Sequence, residues 1–99
     1  MITKDLVWKA LSAVTDPEMG YSIVELGLVY GIMIAEDEIR VEYTLTSPGC
    51  PAAEIIEEDM IMTLKNKFNI KVKPVLVWEP CWNPLMMSEE LKIGLGYPV

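Results

Sequence analysis

One stretch decides the fold, EIRVEYTLTSPGCPAAEIIEEDM at residues 38–60, because it passes from a strand to a helix through a single turn. Its first part alternates between apolar odd positions, from Ile39 to Leu45, and polar even positions. This period of two is typical of a strand with one buried face. Thr44 and Thr46 are then expected on the opposite face of that strand.

The second part of the stretch predicts a turn and then a helix. Residues 46–51 are turn formers, and Pro51 suits the first helical position because its missing N–H would be unpaired there. Apolar residues then recur at spacings of three and four to about Phe68, with acids in the early turns and lysines in the last. Cys50 is therefore expected at the N-terminal boundary of this helix.

The rest of the chain supplies elements on both sides of this stretch. Helical spacing begins after a cap at Thr3 and ends at Asp16-Pro17, and Ser88 caps a short final helix that Gly94 and Gly96 end. Two further strands are predicted, Leu28 to Ala35 as the hairpin partner of the first part and Val72 to Trp78, where Pro74 indicates an edge position or a bulge.

This order predicts an α+β fold, α-β-β-α-β with a short C-terminal helix. A strand-helix-strand crossover makes the last strand parallel to the one before it, which gives a mixed three-stranded sheet. We expect two layers, with helices over one face of the sheet, in a single domain that spans residues 1–99.

The composition excludes several classes of function. The 99 residues are 52% hydrophobic, and 8 Lys and Arg stand against 15 Asp and Glu, for a net charge of −7. This balance argues against nucleic acid and anionic membranes as partners, and no apolar run is long enough to cross a bilayer. There is no histidine, so imidazole bases and ligands are excluded. Two cysteines far apart in sequence favour reduced thiols in the cytoplasm.

Cys50 is the first candidate for chemistry. A helix N-terminus lowers the pKa of a thiol and makes its sulfur a better nucleophile and ligand, although Glu54 one turn later opposes this. The alternative is a buried, unreactive thiol. The hydroxyls of Thr44, Thr46 and Ser47 lie on the segment that leads into the loop of Cys50. Asp16 and Glu18 follow the first helix, and they reach this site only if their loop, the first, folds over the loop of Cys50.

Cys81 is the second sulfur. Together with Cys50 it provides half of a four-cysteine site, which a homodimer would complete as a zinc or [2Fe–2S] centre, but no C-x-x-C pair supports this. Around it, Trp82, Met86 and Met87 have the composition of an adaptable protein-binding surface or of a cap over the core.

Several motifs together resemble one family. These are Asp16-Pro17-Glu18, residues 23–30 (IVELGLVY), residues 44–51 (TLTSPGCP) and Trp82 followed by residues 87–91 (MSEEL). They are similar, in order and over nearly the whole chain, to the metal-sulfur cluster biosynthetic family, which includes SufT, PaaD and the targeting factors of cytosolic iron–sulfur assembly.

The resemblance implies a role in maturing iron–sulfur proteins, with Cys50 as the reactive or ligating position. It also implies that Asp16, Glu18, Thr46 and Ser47 gather around that thiol. One departure is Pro80-Cys81-Trp82, where relatives commonly have Pro-Pro-Trp.

Three hypotheses follow. The first is a non-catalytic maturation factor that transiently holds iron or an iron–sulfur cluster through Cys50 and recognises client proteins or other assembly factors. The second is a thiol-dependent redox or persulfide-handling enzyme in which Cys50 attacks and Cys81 resolves. The third is an interaction module in which both cysteines pack.

Overall fold

The computed structural model describes residues 1–47 and 51–96 of the chain. Over these ranges, three α-helices and three strands follow the predicted order, with one short 3-10 helix added before the last α-helix. The elements are α1 (Lys4–Leu11), β1 (Val29–Ile34), β2 (Glu38–Tyr43), α2 (Ala53–Phe68), β3 (Lys71–Leu76), the 3-10 helix (Pro84–Met86) and α3 (Glu89–Leu95).

The sheet has the strand order β1-β2-β3, which confirms the mixed topology. β1 and β2 form the antiparallel hairpin, and β3 lies parallel to β2. Pro74 therefore lies on an edge strand, where one side of the backbone needs no ladder donor. The irregularity in pairing is instead in β1, between Val29 and Gly31.

The core lies between the sheet and two helices. α1 packs on β1 and on α2, and α2 packs on β3. The odd positions of β2, Ile39, Val41 and Tyr43, are fully buried, as are Met60 and Leu64 of α2. Alternate strand residues and helical residues four apart thus bury one common apolar layer, which is the predicted two-layer α+β arrangement.

Local sequence signals predicted the starts of α1 and α3 correctly, but not all of the helix ends. The side chains of Thr3 and Ser88 accept hydrogen bonds from the backbone N–H groups of Leu6 and Leu91, as expected of N-caps. α1 ends earlier than predicted, at Leu11, and the following chain runs as a loop to Asp16. In α3, Gly94 lies inside the helix and Gly96 alone ends it, in the left-handed conformation.

α2 begins later than predicted. Pro51 was expected at its first position, but Pro51 and Ala52 form a turn and the helix starts at Ala53. Ala52 has no side-chain oxygen and makes no capping bond, so local chemistry does not fix this end. In the part of the chain that the structure covers, no helix is both long and apolar enough to cross a membrane.

Candidate functional site

The predicted site segments meet at one end of the sheet. Because β2 and β3 are parallel, their C-terminal residues Tyr43 and Leu76 lie at the same end, and β1 begins opposite Tyr43. Thr44 N–H donates to the Leu28 carbonyl at 2.8 Å, and Val77 N–H donates to the Tyr43 carbonyl at 2.8 Å. We call this end, which also receives the first turn of α2, the site end.

The loop that carries Asp16 is bound to the site end through its backbone. Leu28 N–H donates to the carbonyl of Ile23, and Ile23 N–H donates to that of Val14, both at 2.9 Å. Together with the bond from Thr44 to Leu28, these connect the end of β2 to the segment before Asp16. The first loop thus does fold toward the loop that follows β2.

Asp16 is fully buried and organises a turn. Its Oδ1 accepts from the backbone N–H of Glu18 at 2.8 Å and of Met19 at 3.2 Å, and its carbonyl accepts from Gly20 N–H at 2.7 Å. Its second oxygen, Oδ2, is buried and has no hydrogen-bond partner among the residues that the structure describes. Such an oxygen is costly, because neither water nor a donor replaces its lost hydration.

Thr44 differs from its prediction. It was expected on the face away from the core, but it is fully buried, at a position just beyond β2 where its backbone N–H pairs with the Leu28 carbonyl. Its Oγ1 is the other buried side-chain oxygen without a partner in the described ranges. Thr46 is half-buried and Ser47 is exposed, at the last positions before the chain leaves those ranges.

Cys50 lies outside the described residues. In sequence it stands between Ser47, which follows β2, and Pro51, which precedes α2. Both flanking residues lie at the site end, whereas α2 itself starts only at Ala53.

Tyr43 connects β2 to the start of α2. The side chain is fully buried, and its hydroxyl donates a short hydrogen bond to the Glu57 carboxylate. Burial, and next the bond to Glu57, raise the pKa of the Tyr43 hydroxyl well above its usual 10.0. This pair fixes the first turns of α2 relative to the sheet. It was not predicted from the sequence, because the spacing of Tyr43 and Glu57 along the chain does not indicate a contact.

Residues 79–88 pack against residues 25–30. Trp82 Nε1 donates to the Leu26 carbonyl at 2.6 Å, and the Tyr30 hydroxyl donates to the Pro80 carbonyl at 2.7 Å. A Cβ on Gly27, which has φ of +78°, would lie 2.3 Å from the Met86 carbonyl oxygen. Only glycine therefore permits this close approach.

Cys81 is a free, exposed thiol in this segment. Burial, and next the charge of Cys81, raise the pKa of Tyr30. An exposed thiol is available to a ligand or an oxidant. The predictions that pair Cys81 with Cys50, as metal ligands or as resolving and attacking thiols, involve a residue outside the described ranges.

The predicted partner-binding residues have different environments. Met87 is 4% exposed and belongs to the core, so its side chain is not on the expected protein-binding surface. Trp82 and Met86 are half-buried, and Trp82 packs against the core. Leu85 nearby is exposed and was not among the predicted partner-binding residues.

No group of three or more acidic, cysteine or histidine side chains lies close enough to hold a metal ion within residues 1–47 and 51–96. The oxygens that this end presents include those of Asp16 and Thr44, which are buried, and the hydroxyls of Thr46 and Ser47. This end can offer oxygen ligands, and the exposed thiol of Cys81 lies in the segment that packs against residues 25–30.

Sequence and fold together define an iron–sulfur assembly domain. Residues 4–77 match the family described as "Iron-sulfur cluster assembly protein". The chain is 42% identical to the Fe-S protein maturation auxiliary factor YitW of Bacillus subtilis, over 94% of this chain and 93% of that protein. It is 41% identical to the Fe-S protein maturation auxiliary factor SufT of Staphylococcus aureus, over 84% and 97% respectively.

A solved structure has the same fold. The crystal structure of a domain of unknown function, DUF59, from Bacillus anthracis matches with a TM-score of 0.89 at 36% identity, and covers 96% of this chain and 92% of that one. The chain belongs to the iron–sulfur cluster assembly family, and the resemblance noted from its motifs is confirmed.

Proposed function

We propose that this protein is a non-catalytic maturation factor for iron–sulfur proteins, in which the Cys50 thiolate transiently binds iron or a cluster, or contacts the client. Family membership supports the general role, since two relatives of similar length are named Fe-S protein maturation auxiliary factors. The transient binding and the ligand set are our own inference.

The observation that carries the proposal is the buried Oδ2 of Asp16, which has no hydrogen-bond partner among the residues that the structure describes. A native fold retains few such atoms, and a carboxylate oxygen without a donor is suited to a cation. Thr44 Oγ1, likewise buried and unpartnered, lies on the segment that leads to Cys50. Two oxygens in this state, on two loops of the site end, favour a binding site over routine packing.

The proposed ligand set combines oxygen and sulfur. Asp16, Glu18, Thr46 and Ser47 supply oxygens, Cys50 supplies a thiolate, and exposed Cys81 is the second candidate thiolate. Carboxylate, hydroxyl and thiolate ligands suit iron, but they lack the four cysteines of a stable cluster site. A set that needs completion by a partner suits a factor that must release its cargo.

The test is anaerobic purification of the wild-type protein, Cys50→Ser and Cys81→Ser, followed by iron and sulfide analysis. In parallel, each variant is expressed in a strain that lacks the gene, and the cluster occupancy of client enzymes in that strain is measured. We expect Cys50→Ser to retain less iron and to leave clients without clusters, with fold unchanged by circular dichroism.

Full cluster occupancy of the clients with Cys50→Ser would contradict the thiolate role. A rapid, stoichiometric bond between Cys50 and Cys81 after mild peroxide, found by mass spectrometry, would favour the thiol enzyme instead. Client clusters that are unchanged in the deletion strain itself would contradict the maturation role altogether.

A further inference from the structure

Exposed apolar side chains surround the site end. Met19 is in the turn that Asp16 organises, Ile55 is in the first turn of α2, and Trp78 comes directly after β3. Leu85 is in the 3-10 helix that packs against Gly27. Their exposed fractions are 37% for Met19, 52% for Ile55, 40% for Trp78 and 63% for Leu85.

The segments that carry these side chains are acidic, although Lys92 Nζ of α3 donates to the Leu85 carbonyl at 3.4 Å. Residues 16–29, 44–47, 51–59 and 76–88, which converge at the site end, carry eight acidic residues and no lysine or arginine. Residues 60–75, which lead away from this end and back along β3, carry four lysines and no acid. The eight acids are Asp16, Glu18, Glu25, Glu54, Glu57, Glu58, Asp59 and Glu79.

We propose that the site-end face, formed by Met19, Ile55, Trp78, Leu85 and these acids, is the docking surface for an iron–sulfur client protein that presents lysine and arginine around an apolar contact. This inference rests on the proposed function and names the surface through which it operates. Apolar anchors provide contact area, and an acidic surround selects and steers a basic partner. A second copy of this chain is disfavoured, because two such faces would repel each other.

The surface predicted here differs from the one expected from sequence. Met87 is in the core and Trp82 uses its indole N–H within the chain, so neither offers a free contact. The exposed side chains come instead from three separate segments, which only the fold brings to one end.

Charge reversal tests the acidic surround. The probe is the purified apo form of a client enzyme that loses its cluster in the deletion strain, and its Kd for this protein is measured by calorimetry. Glu54→Lys/Glu58→Lys is compared with Glu36→Lys/Asp37→Lys, which makes the same charge change at exposed positions of the β1–β2 turn, at the opposite end of the sheet.

We expect the α2 double variant to weaken binding by about tenfold or more at low salt, and the hairpin variant by less than about twofold. Wild-type binding should weaken as NaCl rises, since salt screens exposed charges. Melting temperatures check the fold. If the lysine variant does not fold, Glu54→Gln/Glu58→Gln, which removes the charges without placing cations near the N-terminus of α2, should give a smaller change of the same sign.

A pair on one helix tests the apolar contact. Ile55→Gln removes an exposed side chain in the first turn of α2, and Met62→Gln removes a somewhat more exposed one farther along the same helix. We expect weaker binding for Ile55→Gln only.

Equal Kd values for the α2 and hairpin charge variants, or equal effects of Ile55→Gln and Met62→Gln, would overturn the docking surface. Self-association by sedimentation that is lost with Ile55→Gln would assign the face to a second copy. Failure of the proposed function is recognised by a different result, because the client enzymes of the deletion strain would then keep all their clusters.

Discussion

At the scale of single residues, Asp16 has two separable duties, because its two oxygens differ. Oδ1 accepts two backbone hydrogen bonds in the turn, while Oδ2 has no partner in the described ranges. Asp16→Ala should lower the free energy of unfolding by about 1–2 kcal/mol, since two backbone donors lose their acceptor. Asp16→Asn keeps an acceptor at Oδ1 and should cost less, as urea unfolding would measure.

The effects of the same two variants on function should not follow their effects on stability. If Oδ2 binds cargo, Asp16→Asn and Asp16→Ala both fail to restore clusters to client enzymes, although only the alanine variant is clearly less stable. Wild-type complementation by Asp16→Asn would show that Asp16 only organises the turn.

Tyr43 makes a residue-scale prediction about pH. Burial and the bond to Glu57 raise its pKa in the folded state above 10.0, whereas the unfolded chain loses this proton near pH 10. The folded state then binds more protons in this range, so the stabilisation is complete below about pH 10 and is lost as the pH rises further. The slope reaches at most about 1.4 kcal/mol per pH unit for one proton.

Tyr43→Phe should therefore be less stable than wild type at pH 8, and the difference between their free energies of unfolding should narrow as the pH rises above about 10. Glu57→Gln, which keeps an acceptor without the charge, should have an intermediate slope. Parallel pH dependences of wild type and Tyr43→Phe in denaturant unfolding would contradict this account.

At the scale of elements, the 3-10 helix and residues 25–30 form one packed unit. Gly27 and Gly20 both have φ of +78°, but a Cβ on Gly27 would lie 2.3 Å from the Met86 carbonyl oxygen, whereas nothing lies within 4 Å of one on Gly20. Gly20→Ala should cost about 1 kcal/mol for its left-handed backbone. Gly27→Ala should cost at least about 2 kcal/mol more, because the segments must separate.

Thermal or urea unfolding of this matched pair gives the comparison. Equal losses for the two alanine variants would mean that residues 79–88 move away at little cost. In that case the hydrogen bonds from Trp82 and Tyr30 would not fix the segment in solution.

Element types were largely predictable, and the site only partly, for physical reasons. Thr3, Ser88 and Pro74 act locally, through caps and a missing donor, so sequence located two helix starts and an edge strand. The burial of Thr44 and the pairing of Tyr43 with Glu57 depend on segments distant in sequence. The same dependence on packing explains why α2 starts at Ala53, without a capping side chain, and why Met87 is in the core.

At the scale of the whole molecule, folding concentrates negative charge. Three segments with eight acids and no cations meet at the site end, while at the opposite end Glu38 lies 3.8 Å from both Arg40 and Lys71. The unfolded chain holds these acids farther apart, so their repulsion opposes folding. Added salt should therefore raise the free energy of unfolding, by a few tenths to about 1 kcal/mol between 0.02 and 0.5 M NaCl.

The matched variants of α2 and the hairpin locate the source of this salt effect. Glu54→Gln/Glu58→Gln removes two charges from the site end and should flatten the dependence of stability on NaCl. Glu36→Gln/Asp37→Asn removes two charges beside the Arg40 and Lys71 pairs, where attraction offsets repulsion, and should leave the dependence close to that of wild type. A wild-type protein that salt destabilises, or a hairpin variant that flattens the curve as much as the α2 variant, would mean that the repulsion is spread over the whole surface. The acids would then repel without preference for the site end, and a basic partner would gain no advantage by binding there.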